Sequence, residues 1–396
     1  MAGPPTLLTF LLTLSTAPLT SAANSTYTLK TDLSHKNFFP NFALYSSADP
    51  SKGFVSYQNL SSAIHSQLIG YLEPSSSVFL GVDSTSKPAT TGRASVRAES
   101  TVNFNPPPGK NDAGLLVADI KHMPASECGT WPAFWLLGRE QWPVGGEIDI
   151  LEGVNDDVRN SVTLHTSKGC VVDNSTTAAM GDGSGEGNEM MSSFSGTMVT
   201  DDCDVAAPDQ SKNKGCSILA PESYTLSSTA GGGQSELNSQ PLPSYGTPFN
   251  AAGGGVYILE WTHTSITAWF LPRDLLSSTS SLARQFNGSG TPDPKTFPIS
   301  PIARFSGSGC DFTARFKDLR IIFNTAFCGE WAGQEDVWGS SCKEKTGFET
   351  CEEYVREKPE VFEEAYWEIA GLRWYEKEGG AEKRWSGRRH GREFKL

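Results

Sequence analysis

The sequence is poor in charged residues, and its charge is mostly negative. Charged residues fill only 19% of the 396 positions, and the formal net charge is −13 at pH 7. Residues 377–396 contain seven Lys or Arg against three Glu, which leaves −17 on the rest of the chain. A body this acidic repels other polyanions, which argues against a protein that binds nucleic acid or sulfated polysaccharides.

The patterns that mark a metalloprotein are also missing. The eight cysteines include no Cys-x-x-Cys pair, and no loop has the oxygen-ligand spacing of a calcium site. We therefore predict neither a metal nor another cofactor. An even number of cysteines favours disulfides instead. Eight cysteines allow roughly a hundred pairings, and the sequence does not choose among them.

No apolar run in the sequence is as long as a membrane span, and the longest run lies at the N-terminus. Residues 7–19 are largely apolar, and residues 20–22 are small, as a cleavage site requires. The run is too short to span a bilayer comfortably, and a buried N-terminal strand is the weaker alternative. We predict a signal peptide over 1–23, a secreted protein and no membrane span. Four glycosylation sequons agree with export, at Asn24, Asn59, Asn174 and Asn287.

No charged or Pro-rich linker divides the chain, so we predict one domain over 24–376 and a basic, disordered tail over 377–396. Short β-branched and apolar runs separated by turn residues predict an all-β protein. The predicted strands are 77–80, 95–98, 114–120, 131–137, 147–154, 161–166, 256–262, 265–271, 318–324 and 368–375. Short helices are predicted over 352–358 and 360–365, and long loops over 170–252.

The most informative segment is GGEIDILEG, residues 145–153. Its apolar residues predict a buried strand in which Glu147 and Asp149 share one face. Simple alternation would turn Glu152 into the core, where an unpaired charge is costly. A β-bulge near Leu151 would return Glu152 to the face of the other two acids.

The spacing of these carboxyl groups suits a particular chemistry. The bulge leaves the glutamates about four strand steps apart, or ~13 Å between Cα atoms. Side chains that lean together would place the carboxyls ~5–6 Å apart, near the roughly 5–5.5 Å of a retaining glycosidase. A solvated surface or a calcium site is the alternative. This face carries acids alone and is flanked by tryptophans, and crowded carboxylates raise one another's pKa, which favours acid–base catalysis.

Three segments together resemble glycoside hydrolase family 16. They are CGTWPAFWLLG at 128–138, Trp142-Pro143, and GGEIDILEGVND at 145–156. Further matching segments, such as 92–97 and 327–333, extend the resemblance over roughly residues 27–376. The Glu-x-Asp-x-x-Glu spacing resembles the bulged motif of the fungal secreted laminarinase, or endo-1,3(4)-β-glucanase, branch. Bacterial lichenases and fungal chitin–glucan transglycosylases typically have the unbulged form.

The resemblance implies a fold and a set of roles. The fold is an all-β jelly-roll sandwich of two antiparallel sheets with a concave substrate cleft, as in concanavalin A. Glu147 is implied as the nucleophile and Glu152 as the acid and then the base, with Asp149 between them able to bond Glu147. A hairpin through 155–160 is predicted to bring His165 near Asp149. There His165, a candidate substrate-binding residue, would polarise or orient the triplet, and a histidine that is merely packed in that hairpin is an equal alternative.

Other candidate substrate-binding residues are mostly aromatic. The resemblance implies that Trp135 and Trp142 stack on sugar rings, because a pyranose has an apolar face that matches an indole. Trp331 is a weaker candidate, and Arg93 either binds a sugar hydroxyl or makes a structural pair. Trp131 alternates onto the same strand face as Trp135, so both could instead be buried. The tryptophans predicted to lie in the core are Trp261, Trp269, Trp367 and Trp374.

These features predict a secreted, monomeric, retaining endo-β-glucanase that hydrolyses neutral β-1,3 and mixed β-1,3/1,4 glucans. One alternative is a cell-wall glucan transglycosylase on the same fold, which passes the glycosyl group to a sugar instead of water. Another is a lectin-like glucan-binding protein without catalysis, although both glutamates are present. A metal-stabilised structural protein of the cell wall is the least favoured, because no calcium-type loop occurs.

Overall fold

The computed structural model describes residues 26–88, 90–109, 112–173, 194–226 and 239–378. The predicted signal peptide, the tail from 379 onward and the sequons at Asn24 and Asn174 lie outside these residues. The strands are β1 (Thr28–Asp32), β2 (Phe42–Leu44), β3 (Val55–Tyr57), β4 (Ile69–Leu72), β5 (Ser77–Leu80), β6 (Arg93–Ser95), β7 (Arg97–Ser100), β8 (Ala113–His122), β9 (Thr130–Leu137), β10 (Glu147–Glu152), β11 (Ser161–His165), β12 (Thr197–Thr200), β13 (Cys216–Leu219), β14 (Ser223–Tyr224), β15 (Gln240–Pro241), β16 (Gly255–Thr262), β17 (Ser265–Pro272), β18 (Ala303–Ser306), β19 (Arg320–Phe327) and β20 (Trp367–Lys377).

The helices of the described residues are short. They are α1 (Leu60–His65), α2 (Gly246–Ala251), α3 (Ser281–Phe286), α4 (Phe312–Arg315), α5 (Gly329–Ala332), α6 (Glu335–Ser340), α7 (Cys342–Thr346) and α8 (Cys351–Glu357). Single 3₁₀ turns lie at His35–Asn37, Phe39–Asn41, Glu73–Ser75, Arg273–Leu276, Pro294–Thr296 and Pro359–Phe362. Within the described ranges, none of these helices has the length and apolar character that a bilayer crossing needs.

Two large antiparallel sheets dominate the fold, as predicted. The first runs in the order β18-β17-β16-β8-β20-β5-β4, with β1 added against β20. The second runs in the order β12-β13-β11-β10-β9-β19-β7-β2. Neighbouring strands are often far apart in sequence, which is the connectivity of a jelly roll. The prediction of an all-β sandwich is confirmed.

One hydrophobic core joins the two sheets. It includes Phe134 and Ile148 from the second sheet and Ile258 and Ile369 from the first, all at most 1% exposed. The four tryptophans predicted for the core are buried there, namely Trp261, Trp269, Trp367 and Trp374. Because the second sheet turns Ile148 and its apolar neighbours inward, its polar side chains face outward.

A second, smaller core lies at one end of the second sheet. It packs helices α6 to α8 against the ends of β9 and β19 and contains Trp338, Tyr354 and Phe362. Two disulfides, Cys128–Cys342 and Cys328–Cys351, pin it. The other pairs are Cys170–Cys310 and Cys203–Cys216. All eight cysteines are therefore paired, as predicted, and the tertiary structure supplies the connectivity that the sequence left open.

Several predicted elements differ from the structure. The strand predicted over 95–98 is split, since β6 ends at Ser95 to pair with β3 while β7 begins at Arg97 to pair with β19. The strand predicted from 318 begins at Arg320, because Asp318 adopts a left-handed backbone with φ of 51°. The helix predicted over 360–365 is only the 3₁₀ turn at Pro359–Phe362, whereas the helix predicted over 352–358 is confirmed as α8. The predicted loops over 170–252 contain strands β12 to β15 and helix α2.

Candidate active site

Strand β10 carries the three acids on the outward face of the second sheet, which we call the site face. Gly146 introduces the strand with φ of 77°, and a Cβ there would lie 2.4 Å from the Arg315 backbone oxygen. Only glycine suits that position. Glu147 and Asp149 then alternate with the buried Ile148, as predicted for a strand with one face in the core.

The predicted bulge is present. Against β9, Asp149 pairs with Trp135 and Leu151 pairs with Phe134, so Ile150 is the extra residue. Ile150 and Leu151 are both buried in the main core. Two consecutive core-facing residues reset the alternation, and Glu152 returns to the site face opposite Ala133 of β9. The three acids therefore share one face.

His165 of β11 lies directly across from Glu147 in the register. Its Nε2 atom is 3.2 Å from Oδ2 of Asp149 and 3.9 Å from Oε1 of Glu147. The predicted proximity to Asp149 is confirmed. The imidazole thus lies within ion-pair distance of the middle acid, whose Oδ2 accepts no hydrogen bond in the described residues, and stays within reach of the first.

Trp131 of β9 contacts the third acid. Its indole Nε1 donates a hydrogen bond of 2.8 Å to Oε1 of Glu152. The ring of Trp331 packs edge-on against that of Trp131, with centroids 5.7 Å apart. This contact fixes one oxygen of the Glu152 carboxyl, which leaves the other to interact with a substrate.

Burial governs the electrostatics of the triplet. Desolvation raises the pKa of each of the three carboxyl groups from its ordinary value to about 8. Repulsion by Asp149 adds to the effect on Glu147 and Glu152, while His165 opposes it at both. Burial and mutual repulsion both favour the protonated forms, so the triplet keeps protons to higher pH than isolated carboxyl groups do. An acid that is still protonated near pH 7 is what leaving-group protonation requires.

Two groups of side chains in the described residues have the spacing of metal ligands. One is Cys128, Asp156 and Cys342, whose two sulfurs are joined in a disulfide and offer no thiolate. The other is Glu147, Asp149 and His165, whose ligand atoms lie within 4.8 Å of one another. This second group contains Glu147 and Asp149 of the acidic triplet but not Glu152, and its Asp149–His165 contact is 3.2 Å long.

Comparison with known proteins identifies the family. The model for the XgeA-like, catalytic GH16 domain matches residues 42–235 and 223–375. The chain belongs to glycoside hydrolase family 16.

Curated relatives of this GH16 chain are fungal. It is 37% identical over 360 residues to the endo-1,3(4)-beta-glucanase of Arthroderma benhamiae, a match that covers 90% of this chain and 66% of that protein. It is 36% identical over 366 residues to the endo-1,3(4)-beta-glucanase xgeA of Emericella nidulans, covering 91% of this chain and 49% of that protein. The chain thus spans about two thirds of the length of the first relative and about half of the second.

Two solved structures support the same family assignment. Laminarinase 16A of Phanerochaete chrysosporium, with beta-glucans in both donor and acceptor sites, superposes with a TM-score of 0.70 at 31% identity. The match covers 89% of this chain and 100% of that one. An elongating GH family 16 beta-1,3-glucosyltransferase superposes with a TM-score of 0.69 at 35% identity, covering 88% of this chain and 99% of that one.

The predicted aromatic residues of the GH16 site lie at both ends of the triplet. Trp142 is 40% exposed, and its ring centroid is 6.5 Å from that of His165, near Glu147. Trp331 lies at the opposite end, against Trp131 and hence beside Glu152. Trp135 lies across from Asp149 on the site face and is half-buried. The structure therefore groups all three predicted tryptophans around the acids.

Arg93 is a correction. It is completely buried in the structure, where no substrate can reach it. Its guanidinium donates hydrogen bonds to the backbone oxygens of Asp83, Ser86 and Val355 and lies over the ring of Phe362. Arg93 therefore makes structural contacts and does not bind a sugar. It links the small disulfide-rich core at Val355 to the segment that contains Asp83 and Ser86.

Two residues of the site face were missed by the sequence analysis. Trp131 was considered only as a core residue. By strand alternation it shares a face with Trp135 and with Ala133, the residue that pairs with Glu152. Arg97 lies 4.7 Å from the ring of Tyr45 and 4.9 Å from that of Trp135, and it pairs with Glu99 at 2.7 Å. Its charge lowers the pKa of Glu147 against the effect of burial. Both arginines belong to the run 92–97. They differ in the pairing of their strands, because β7 with Arg97 pairs with β19 of the second sheet, whereas β6 with Arg93 pairs with β3.

Proposed function

We propose that this chain is a retaining endo-β-glucanase that hydrolyses β-1,3 and mixed β-1,3/1,4 glucans. The observation that carries the proposal is the bulged strand β10, which presents Glu147, Asp149 and Glu152 together on the site face. Its support from relatives lies in the name endo-1,3(4)-beta-glucanase, which the similar fungal proteins carry. A neutral glucan also suits a chain whose net charge is −13.

The proposed mechanism has two displacement steps. In the first, a carboxylate oxygen of Glu147 attacks the anomeric carbon while Glu152 gives its proton to the departing glycosidic oxygen, and a glycosyl-enzyme ester forms. In the second, Glu152 removes a proton from water, whose oxygen attacks the anomeric carbon and releases Glu147. His165 opposes the rise in the pKa of Glu147 that burial and Asp149 cause, which favours the ionised form that the nucleophile needs. Two inversions give net retention.

The proposal is tested by the products that the purified protein releases. We expect short oligosaccharides to appear rapidly from laminarin, cleavage of lichenan at a comparable or lower rate, and essentially none of cellulose. Cellulose has only β-1,4 links and is straight, whereas a β-1,3 link supplies a bend that a curved cleft can select. Viscosity should fall faster than reducing ends appear. Cellulose cleavage as fast as that of laminarin, or glucose as the sole early product, would refute the assignment.

The stereochemistry provides a separate test of the two-step mechanism. Proton NMR of the first products from laminarin should show β-anomers, which mutarotate only later. Initial α-anomers would contradict the close spacing of the two glutamates that the bulge is proposed to create.

A second candidate function is glucosyl transfer to another glucan. The observation that favours it is the 35% identity to the solved GH16 protein described as an elongating beta-1,3-glucosyltransferase. Both reactions share the first step and differ in whether water or a sugar hydroxyl attacks the glycosyl-enzyme. Products longer than the supplied laminarioligosaccharide, seen by mass spectrometry at low substrate concentration, would favour transfer over hydrolysis.

We further propose that the protein is exported as a glycosylated monomer after removal of residues 1–23. Two sequon asparagines, Asn59 and Asn287, are exposed. Each accepts backbone hydrogen bonds through its side-chain oxygen, so the amide nitrogen that carries an N-glycan is not the atom used. N-terminal sequencing of the secreted protein, its mass before and after glycan removal, and light scattering test these three points.

A further inference from the structure

The bulge that turns Glu152 to the site face leaves backbone groups without strand partners. Against β11, the register passes from Asp149–Thr163 directly to Glu152–Ser161, so two residues of β10 oppose one residue of β11. Such a mismatch removes regular ladder hydrogen bonds at the extra residue. Because Ile150 and Leu151 are buried, water cannot replace those bonds.

The side chain of Asn160 fills this gap. Its Oδ1 accepts a hydrogen bond of 2.8 Å from the backbone N–H of Glu152, and its Nδ2 donates one of 2.7 Å to the backbone oxygen of Ile150. A single amide thus spans the bulge and satisfies one donor and one acceptor. Asn160 itself is completely buried.

The backbone of Asn160 is fixed from both sides. Its N–H donates to the Ser244 hydroxyl at 3.1 Å, and its C=O accepts from the Ala220 N–H at 2.8 Å. The residue therefore has little freedom to follow β10 if the strand shifts. A rigid amide of this kind can hold the strand in its bulged register.

We propose that Asn160 is the positioning residue for the acid–base Glu152: it locks the bulge that turns this side chain to the site face. The inference rests on the proposed function and deepens it. Asn160 sets where the Glu152 backbone lies, and Trp131 then holds one carboxyl oxygen. Without the amide, the strand would relieve its unpaired groups by straightening, and straightening moves Glu152 toward the core.

The test compares two substrates in the Asn160→Ala variant. Laminarin has a poor leaving group and needs the acid, whereas a 2,4-dinitrophenyl β-laminarioligosaccharide has a leaving group that departs without protonation. We expect kcat/KM on laminarin to fall about 10²-fold, as a displacement of ~1 Å can cause. We expect kcat/KM on the aryl substrate, which reports only the first step, to fall less than about 5-fold.

A merely structural role would lower both activities alike, so the ratio of the two losses distinguishes a positioning role of Asn160 from a structural one. The matched control is Asn250→Ala, because Asn250 clamps the N–H and C=O of Met123 in the same manner, at 3.0 and 2.8 Å, and these bonds go to Met123 and not to β10. We expect the ratio to stay near that of the wild type in this control. Equal losses on both substrates in Asn160→Ala, or no loss on either, would overturn the proposal.

Two further measurements test the proposal if Asn160→Ala fails to fold or if activity alone is ambiguous. If Asn160→Ala does not fold, Asn160→Asp keeps the acceptor for the Glu152 N–H and should show the same bias toward laminarin loss, only smaller. The crystal structure of the variant gives a readout independent of activity: we expect Glu152 to be displaced, and an unchanged bulge refutes the lock. A wild-type protein without activity on laminarin refutes the proposed function, while the crystallographic result still decides the role of Asn160.

Discussion

Replacing Trp131 by Phe should move the pH dependence of the reaction in a defined direction. The substitution keeps an aromatic ring against Trp331 but removes the indole N–H that donates to Oε1 of Glu152 at 2.8 Å. A hydrogen bond to the ionised carboxylate favours the charged form, so this contact lowers the pKa of Glu152 against the effect of burial. Its removal must therefore raise that pKa.

The size of the change follows from the strength of the bond. A hydrogen bond to a charged group contributes about 1.5–3 kcal/mol, and one pKa unit corresponds to about 1.4 kcal/mol. Part of the bond survives when Glu152 is protonated, since a carboxylic acid still accepts through its carbonyl oxygen. We therefore expect the pKa of Glu152 in the Phe variant to rise by about one unit.

The assay is the pH profile of kcat/KM on laminarin. Its alkaline limb reports loss of the proton that the acid must donate. A higher pKa keeps that proton to higher pH, so the limb of Trp131→Phe should shift upward by about one unit. Near the optimum, the looser carboxyl should lower kcat/KM about 10-fold. Between the two limbs, the variant should keep its activity while the wild type loses activity.

Trp135→Phe is the matched control. Trp135 lies on the same strand face, and its Nε1 donates a bond of 2.7 Å to the neutral amide of Asn324 instead of to an acid. This variant should lose binding affinity without moving the alkaline limb. An unmoved limb in Trp131→Phe, or an equal shift in both variants, would refute the argument that the indole sets the acidity of Glu152.

Three further predictions address the rest of the site and the fold. Glu147→Gln should lower hydrolysis by about three orders of magnitude or more with unchanged circular dichroism; retention of a tenth of wild-type turnover would exclude Glu147 as the nucleophile, and the exposed Glu140→Gln serves as control. Glu152→Ala should accumulate glycosyl-enzyme from an activated aryl substrate, and azide should restore turnover to give a β-glycosyl azide; an α-azide or no rescue would contradict its role. Thiol titration of the denatured, unreduced protein should find no free cysteine, because all four pairs are closed in the structure; two or more thiols per chain would contradict this.

The shared face of the three acids could be predicted from the local sequence, because residues within β10 itself determine it. The alternation of Glu147, Ile148 and Asp149 fixes two faces within a few residues, and the cost of burying Glu152 requires a bulge close by. His165 was within reach because a short hairpin links β10 to β11. The family resemblance added the reaction class, and the family model and fungal relatives agree with it.

The tertiary structure alone decided which distant residues complete the site. Asn324 meets Trp135 across 189 positions, and Arg97 reaches both Trp135 and Tyr45. These contacts depend on the order of strands in the second sheet, and the hydrophobic pattern of a single strand does not specify its neighbours. The pairing of the cysteines was open for the same reason.

Arg93 and Asn160 show most plainly the difference between what the sequence predicts and what the tertiary structure decides. Both are polar residues next to predicted strands, and the sequence gives no sign of how deeply either is buried. The fold encloses Arg93 among backbone oxygens and sets Asn160 across the bulge of β10. The sequence by itself determined which side chains of β10 must face away from the core. The tertiary structure decided what holds them there, because a buried polar group takes its role from the partners that packing brings to it.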